Sequence, residues 1–240
     1  MARVVTLIEL PGENVVPGVI RASVTAGETR WMDAEIVTLR TGATFADGAP
    51  AGSDCYLFVV GGAARLTAGG VSHELPLQAS AVIAENTEFS VANAFDGDTL
   101  LLRVLAPPKG TASQLPGFAG GVAVRPRSEL PVAVIPEQKK KRRYIVSKDA
   151  SKSQRGHAMI VEYERDTVTA LHHHPDAESM FVILEGEIQF VVDGREVVVK
   201  PGDATVFRIG DVHSLRCADG VTAAAFLEFH IPGAFTTVKE

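Results

Sequence analysis

The sequence predicts an all-β protein made of two similar domains, and three observations support this prediction. Short runs of β-branched residues, closed by Gly, Pro or Asp turns, recur along the chain with almost no helical periodicity. A length of 240 residues suits two domains better than one hydrophobic core. An internal repeat at an offset of 124 residues aligns Gly62 with Gly186 and Gly70 with Gly194.

The clearest predicted strands lie in the second half of the chain. They cover residues 182–184, 187–192, 195–199 and 204–208. Between the second and third, Asp193-Gly194 predicts a two-residue hairpin, because a type I′ turn needs positive φ at both central positions. Turns that recur about every 8 to 12 residues are typical of a sandwich or a barrel.

A proline-rich segment divides the chain between the two copies of the repeat. We expect an N-terminal barrel over residues 1–108, a connector over 109–143 and a C-terminal barrel over 144–240. Six prolines between positions 107 and 136 are typical of a connector that runs over a surface. The basic run Lys139 to Arg143 at its end is interpreted as a solvated loop.

Composition and charge exclude several classes of partner. The formal net charge of −6 argues against a nucleic-acid or anionic-membrane surface and favours a small-molecule substrate. No apolar run approaches the roughly 18–20 residues that cross a bilayer, and Glu9 interrupts any signal-peptide core. With only two cysteines, Cys55 and Cys217, we expect a cytoplasmic protein.

Histidines are concentrated in one part of the second half. Four of the seven lie within 42 residues, as His172, His173, His174 and His213. On a strand, the imidazoles of His172 and His174 leave from the same face and can converge on one ion. His213 follows a predicted strand by a short turn that could bring it to the same barrel end, which makes it the candidate third ligand.

These residues resemble the motifs of the cupin superfamily. The first motif is matched by Asp166, the 172–174 histidines, Glu178 and Gly186, and the second by Gly194, Pro201-Gly202, His213 and Cys217. Asp166, Arg208 and Cys217 stand where the family pattern has Gly, Pro and Asn. Together with the repeat, the resemblance implies a bicupin: two tandem double-stranded β-helix, or jelly-roll, barrels. It also implies a homodimer.

The resemblance further implies a metal site formed by His172, His174, Glu178 and His213. Glu178 has the permitted spacing from His174, but seven residues separate it from Gly186 where the pattern has six, and counting back from Gly186 selects Ser179. A one-residue error turns a strand side chain to the opposite face unless a bulge absorbs it. The site therefore has either three histidines alone or three histidines with Glu178.

The repeat serves as an internal control on the metal site. Shifting the four candidate ligands back by 124 residues gives Gly48, Pro50, Asp54 and Phe89. The first barrel is therefore not expected to bind a metal in this way, and it is interpreted as a structural partner. Arg208, near the expected barrel mouth, is a candidate substrate-binding residue if its guanidinium points inward, and a surface residue if it points outward.

Imidazole and carboxylate ligands suit a divalent transition metal such as Fe, Mn, Ni, Co or Zn, and open positions on it imply catalysis or ligand binding. The leading hypothesis is a metal-dependent catabolic enzyme that acts on a small polar or carboxylate substrate chelated to the metal. Its chemistry would be that of a dioxygenase-like oxidoreductase, or Lewis-acid isomerisation, decarboxylation or hydrolysis. One alternative is a bicupin similar to ureidoglycine aminohydrolase, whose expected Glu, His, His and Gln ligands differ from these. Another is a non-catalytic bicupin that binds or senses a small ligand.

Overall fold

A computed structural model describes residues 2–111, 113–192 and 194–240. Apart from three short 3₁₀ turns at Leu7–Glu9, Arg127–Glu129 and Pro136–Gln138, its regular elements are all β-strands. The strands are β1 (Arg3–Thr6), β2 (Glu13–Val16), β3 (Val19–Ser23), β4 (Asp33–Leu39), β5 (Thr44–Ala49), β6 (Asp54–Gly61), β7 (Ala64–Ala68), β8 (Val71–Leu75), β9 (Ser80–Ile83), β10 (Thr87–Asn93), β11 (Thr99–Ala106), β12 (Val122–Arg125), β13 (Val132–Ile135), β14 (Lys140–Val146), β15 (His157–Glu164), β16 (Val168–His173), β17 (Glu178–Glu185), β18 (Ile188–Val192), β19 (Arg195–Val199), β20 (Asp203–Phe207), β21 (His213–Cys217), β22 (Ala223–Ile231) and β23 (Val238–Lys239). The predicted all-β class is confirmed.

Each half of the chain forms a barrel from two sheets. In the N-terminal barrel a seven-stranded sheet, ordered β12-β9-β6-β11-β4-β3-β2, faces a four-stranded sheet, ordered β5-β10-β7-β8. In the C-terminal barrel a seven-stranded sheet, ordered β1-β20-β17-β22-β15-β14-β13, faces a five-stranded sheet, ordered β19-β18-β21-β16-β23. Antiparallel pairing throughout these sheets gives the tandem jelly-roll architecture that the sequence predicts.

Three consecutive strands of the two barrels repeat each other without a change in length or spacing. Strands β6, β7 and β8 begin and end 124 residues before β17, β18 and β19. Gly62 and Gly186, the first aligned glycines, both have positive φ, near 79° and 68°, which a residue with a side chain rarely adopts. In the predicted hairpin, Val192 pairs with Arg195 and Gly194 has a φ of 75°, while Asp193 lies outside the described residues.

The barrels exchange their first strands. Strand β1, at the beginning of the chain, pairs with β20 of the C-terminal barrel, and β12, from the middle of the chain, pairs with β9 of the N-terminal barrel. The Leu7 N–H also donates to the carbonyl of Gly202 at 2.9 Å. Residues 3–6, predicted as part of the N-terminal barrel, therefore complete a sheet of the other barrel.

The segment predicted as a connector over 109–143 contributes strands to both barrels, so the expectation of a surface loop is wrong for much of it. It contains β12, β13 and the beginning of β14. Pro126, Pro131 and Pro136 lie outside these strands and bound them, since proline cannot donate to a ladder but can flank one.

The basic run is likewise part of a strand rather than a solvated loop. Residues Lys140–Val146 form β14, which pairs with β13 on one side and β15 on the other. Because strand side chains alternate, Lys140 and Arg142 face the barrel interior, while Lys141 is exposed. Lys140 is only 8% exposed.

Three apolar clusters form the core, one inside each barrel and one between the barrels. Strands β6 and β17 contribute both to the cluster inside their own barrel and to the cluster between the barrels, because both of their faces are buried. Leu57 packs inside the N-terminal barrel, whereas its neighbours Tyr56 and Phe58 belong to the cluster between the barrels. Burial on both faces explains why these strands are continuous apolar runs in the sequence rather than alternating ones.

A buried carboxylate ties the N-terminal barrel to the loop that precedes β15 in the C-terminal barrel. Asp54 at the beginning of β6 is fully buried and accepts hydrogen bonds from Ser153 Oγ at 2.7 Å and from the Phe118 N–H at 2.9 Å. Arg155 Nη1 lies 3.1 Å from Asp54 Oδ1, and Arg155 Nη2 lies 3.1 Å from Glu85 Oε1 at the edge of the contact. Burial raises the pKa of Asp54, and these hydrogen bonds and Arg155 oppose that rise.

Among the residues that the structure describes, no helix is long and apolar enough to cross a lipid bilayer.

The two carboxylates on Arg155 differ in burial, which gives a matched test of the contact between barrels. We expect Asp54→Asn to lower the free energy of unfolding by about 3 kcal/mol, because it removes the buried one of the two carboxylates that pair with the buried Arg155 guanidinium. Glu85→Gln removes a partly exposed partner of the same guanidinium and is expected to lower it by less than about 1 kcal/mol. Urea denaturation measures both. Equal effects would contradict the assigned role of Asp54.

Candidate metal centre

Three histidines converge inside the C-terminal barrel. His172 and His174 come from the end of β16 and the residue after it, and His213 begins β21. All three are buried, and one ring nitrogen of each lies within 4.8 Å of those of the others. In the described part of the chain, this is the one group of histidine, cysteine or carboxylate side chains arranged to hold a metal ion.

A bulge in β16 brings His172 opposite His213. The pairing of β16 with β21 shifts register between Thr169 and His172, whereas β5 and β10, their counterparts, pair without a shift. Phe89 and His213 occupy equivalent positions, and Phe89 pairs with Asp47. The structural counterpart of His172 is therefore Asp47 rather than Gly48, which the fixed offset of 124 residues selects. The extra residue changes which side chain points at the centre.

Each histidine of the cluster is oriented by a backbone carbonyl. The Nδ1 atoms of His172, His174 and His213 lie 2.8, 2.8 and 3.0 Å from the carbonyl oxygens of Ala170, Thr236 and Asp211. A carbonyl only accepts, so each Nδ1 carries the proton and each Nε2 presents a lone pair. Fixing the ring by its other nitrogen is the usual arrangement for histidines that bind metals.

The free nitrogens have the properties that a metal ion requires. Nε2 of His174 and Nε2 of His213 are buried without a hydrogen-bond partner. Burial lowers the pKa of His172, that of His174 to about 4 and that of His213 to about 3, so the imidazoles are neutral at pH 7. Buried, unprotonated and unsatisfied nitrogens are costly unless something binds them, and the cluster fits a divalent transition metal.

Glu178 does not join the cluster, contrary to its prediction as a fourth ligand. Its carboxylate accepts hydrogen bonds from the backbone N–H groups of Arg30, Trp31 and Met32 at 2.5, 2.8 and 3.1 Å. The alternation of side chains along β17 gives the reason, since the following residue, Ser179, points to the histidines and hydrogen-bonds His230 at 2.9 Å. The described cluster is the three-histidine alternative.

Glu178 has the same role as Asp54 in the other barrel. The two lie 124 residues apart, each at the beginning of an equivalent strand. Glu178 binds the loop that precedes β4 of the N-terminal barrel, and Asp54 binds the loop that precedes β15 of the C-terminal barrel. Both copies of the repeat have an acidic residue here, although only one has the histidines. This shared acid was the signal in the sequence that Glu178 serves the contact between barrels.

A cavity of about 400 Å³ opens beside the histidines. Aromatic and aliphatic side chains form much of its wall, and its charged and polar lining comes from β14, β15, β16, β22 and the C-terminal segment. The charged residues that line it are Lys140, Arg142, Glu228 and Lys239. The sequence pattern did not lead us to assign Lys140 and Arg142 to the site. The basic run continues into Tyr144-Ile145-Val146, and this continuation was the signal that the run belongs to a strand with alternating side chains.

Arg208 does not line this cavity, contrary to the inward alternative for its guanidinium. Its side chain is 44% exposed, and its Nε lies 3.6 Å from Asp211 Oδ2. Arg208 follows β20 in the turn that leads to His213, where a short-range carboxylate fixes it at the surface. The arginine that faces the cavity is Arg142 instead.

The last nine residues form one wall of the site. Phe235 stacks on His230 with ring centroids 4.0 Å apart, and the Thr236 carbonyl is the partner of His174. Asp176 accepts from the Thr236 N–H at 2.8 Å, and β23 pairs with β16 through Lys239. The sequence pattern did not assign this segment to the site, because its residues are unlike the motif residues and reach it only through the fold.

Comparison with protein families supports this architecture. Residues 159–230 match the family model of the cupin domain. Protein YdbB of Bacillus subtilis is 39% identical over 46 residues, which are 19% of this chain and 41% of YdbB. The chain therefore spans less than half of the length of this curated relative.

Solved structures resemble the chain over nearly its whole length. Protein Ylba from E. coli superposes with a TM-score of 0.75 at 14% identity, over 96% of this chain and 90% of that one. Oxalate decarboxylase from Lactobacillus farciminis, in a formate complex, superposes with a TM-score of 0.73 at 16% identity, over 98% and 88%. At these identities the likeness shows the fold, which has two tandem jelly-roll barrels.

The position of Glu178 gives a test that separates a contact between barrels from a metal ligand. We expect Glu178→Gln to lower the free energy of unfolding by about 2 kcal/mol. The amide has only one acceptor oxygen, so it leaves at least one of the backbone N–H groups of residues 30–32 without its partner. Metal stoichiometry, measured by mass spectrometry of the metal content, is expected to stay unchanged. Loss of metal with unchanged stability would contradict this assignment.

His157 predicts a specific acid sensitivity. Burial lowers its pKa to about 4, below the usual value of 6.5, so the unfolded chain takes up a proton between these values and the folded chain does not. Stability is therefore lost as the pH falls from 6.5 toward 4. We expect His157→Gln to reduce the slope of unfolding free energy against pH by about 1 kcal/mol per pH unit between pH 5 and 6. Urea denaturation at several pH values measures it, and parallel profiles would contradict it.

Proposed function

We propose that this chain, whose second barrel contains the histidine cluster, is a metal-dependent enzyme for a small carboxylate substrate. One observation carries the proposal: His172 and His174 line a cavity of about 400 Å³, and Nε2 of His174, like that of the adjacent His213, is buried without a hydrogen-bond partner. A purely structural metal site is normally closed by protein ligands, whereas three imidazoles leave positions for substrate. The structural likeness to oxalate decarboxylase, a protein named for a small carboxylate, supports the substrate class.

A divalent ion held by His172, His174 and His213 would supply either a redox-active centre for dioxygen or a Lewis acid for decarboxylation, isomerisation or hydrolysis. The chain itself holds the three imidazoles in the neutral, Nδ1-protonated form through backbone carbonyls. Phe181 and Phe235 cover the rings and exclude water, and Phe207 stacks on His213 with centroids 4.2 Å apart. The basic side chains of the lining favour an anionic substrate over a neutral one.

Removal of one cluster histidine tests the metal site against a matched control. We expect His172→Ala and His213→Ala each to weaken metal binding more than about 100-fold. Changes to residues that only support the ligands weaken metal binding by up to about 100-fold, and the loss of a ligand should exceed that. His173→Ala is the control, because its ring points away and its Nδ1 lies 2.6 Å from Glu240. Metal content after dialysis and titration with Co(II) measure the effect. Equal metal uptake by all three variants would overturn the metal site.

Oxygen consumption distinguishes the two kinds of chemistry. We expect the Fe(II)-loaded or Mn(II)-loaded chain to turn over one member of a panel of small carboxylic acids, with product identified by mass spectrometry. Oxygen uptake that follows substrate loss indicates a dioxygenase-like reaction, and substrate loss without oxygen uptake indicates Lewis-acid chemistry. Tight binding of an acid without turnover would overturn the enzyme proposal in favour of a binding protein.

A further inference from the structure

Two cations face the cavity without a carboxylate partner of their own. The Nε atom of Arg142 is buried and has no hydrogen-bond partner. Lys140 Nζ donates to Thr169 Oγ1 at 2.7 Å and lies 5.0 Å from the centroid of the Tyr163 ring. Burial, followed by the charge of Arg142, lowers the pKa of Lys140. No ion pair joins either cation to a carboxylate within the described residues.

The equivalent arginine of the N-terminal barrel is fully paired. Arg21 pairs with Val37 and Arg142 with Val161, two valines that lie 124 residues apart. Arg21 forms an ion pair with Glu35, and its Nη2 lies 3.9 Å from Asp47 Oδ2. The same position thus has two carboxylate partners in one barrel.

The C-terminal barrel lacks both carboxylates at the corresponding positions. Met159 occupies the position of Glu35, since each pairs with the equivalent residue of the last long strand. His172 occupies the position of Asp47, as the bulge in β16 requires. The residue that joins the histidine cluster and the methionine that lines the cavity thus stand in place of the two partners of the arginine.

The carboxylate that does face these cations is committed elsewhere. Glu228 occupies the position of Arg103, the second arginine of the paired network in the N-terminal barrel. Its Oε1 accepts a hydrogen bond from His230 Nε2 at 2.6 Å, and it lies beyond ion-pair distance of Arg142 and Lys140. Lys239 adds a third, exposed cation to the lining. The cavity therefore has three cations and one carboxylate.

We propose that Arg142 and Lys140 form a binding site for an anionic group of the substrate, distinct from the atoms that the metal binds. The substrate is then a small dicarboxylate: one carboxylate lies at the histidine cluster and the other at the guanidinium. A guanidinium binds a carboxylate through parallel N–H groups, and a buried unpaired Nε is one such donor. For the metal-bound end the inference rests on the proposed function; the cation site does not depend on it.

Succinate and butyrate provide the test, since they have the same number of carbons and differ in the second carboxylate. Isothermal titration of the Co(II)-loaded full chain at constant ionic strength measures both affinities. We expect succinate to bind at least about tenfold more tightly than butyrate, in the range of a hydrogen bond to a charged group. Arg142→Gln is expected to abolish this preference by weakening succinate binding alone. Lys141→Gln removes the same charge from the exposed face of β14 and is expected to keep it.

The possible results separate this inference from the proposed function. Absence of a succinate preference, or a preference that survives in Arg142→Gln, overturns the dicarboxylate site even when metal binds. If Co(II) does not load, the proposed function fails alone, and the same titrations on the metal-free chain still decide the cation site. In the metal-free chain, the site is supported if Arg142→Gln abolishes succinate binding and Lys141→Gln retains it. Equal succinate binding by the unchanged chain and both variants overturns the site.

Discussion

Two buried carboxylates, one from each barrel, fix the halves of the molecule against each other. Asp54 binds the loop before β15, and Glu178 binds the loop before β4, so each barrel satisfies the charge of the other. A carboxylate in a low-dielectric interior is unfavourable unless hydrogen bonds and cations surround it. If the barrels moved apart, both carboxylates would lose their hydrogen-bond and charge partners. The relative placement of the barrels is therefore determined by polar contacts as well as by the apolar cluster between them.

The histidine cluster is connected to this arrangement through β17, although the carbonyl partners of its three histidines all belong to the C-terminal barrel. Glu178 begins β17, and the same strand contributes Phe181, whose ring centroid lies 5.7 Å from that of His213. Glu178 pairs with Ile231 of β22, so its hydrogen bonds to the opposite barrel hold the beginning of the strand that leads to Phe181. The N-terminal barrel, whose interior is closed by its own arginine and carboxylate network, thus contributes rigidity to a site that it does not line.

Much of the fold and part of the site could be predicted from the sequence, for identifiable reasons. The glycines with positive φ and the alternating strands are local signals, and the repeat doubles each of them. His172 and His174 were predictable as a pair because strand alternation is local too. Glu178 was wrongly assigned because its partners, the N–H groups of residues 30–32, are distant in sequence. Arg142 was missed because a run of like charges obscures alternation. The inward alternative for Arg208 was wrong because the nearby Asp211 carboxylate holds its guanidinium at the surface.

The exchange of first strands has a consequence for how the chain is made. Strand β1 leaves the ribosome before the other described strands, yet its partner β20 lies about 200 residues later in the chain. Because domains generally fold as they emerge, the N-terminal barrel can be completed once β12 is available to pair with β9. Strand β1 must instead wait until nearly the whole chain has been synthesised. Such distant pairing slows folding. The second barrel is thus completed after the first, by a strand that was synthesised before either barrel, and the histidine cluster lies in the half that matures later.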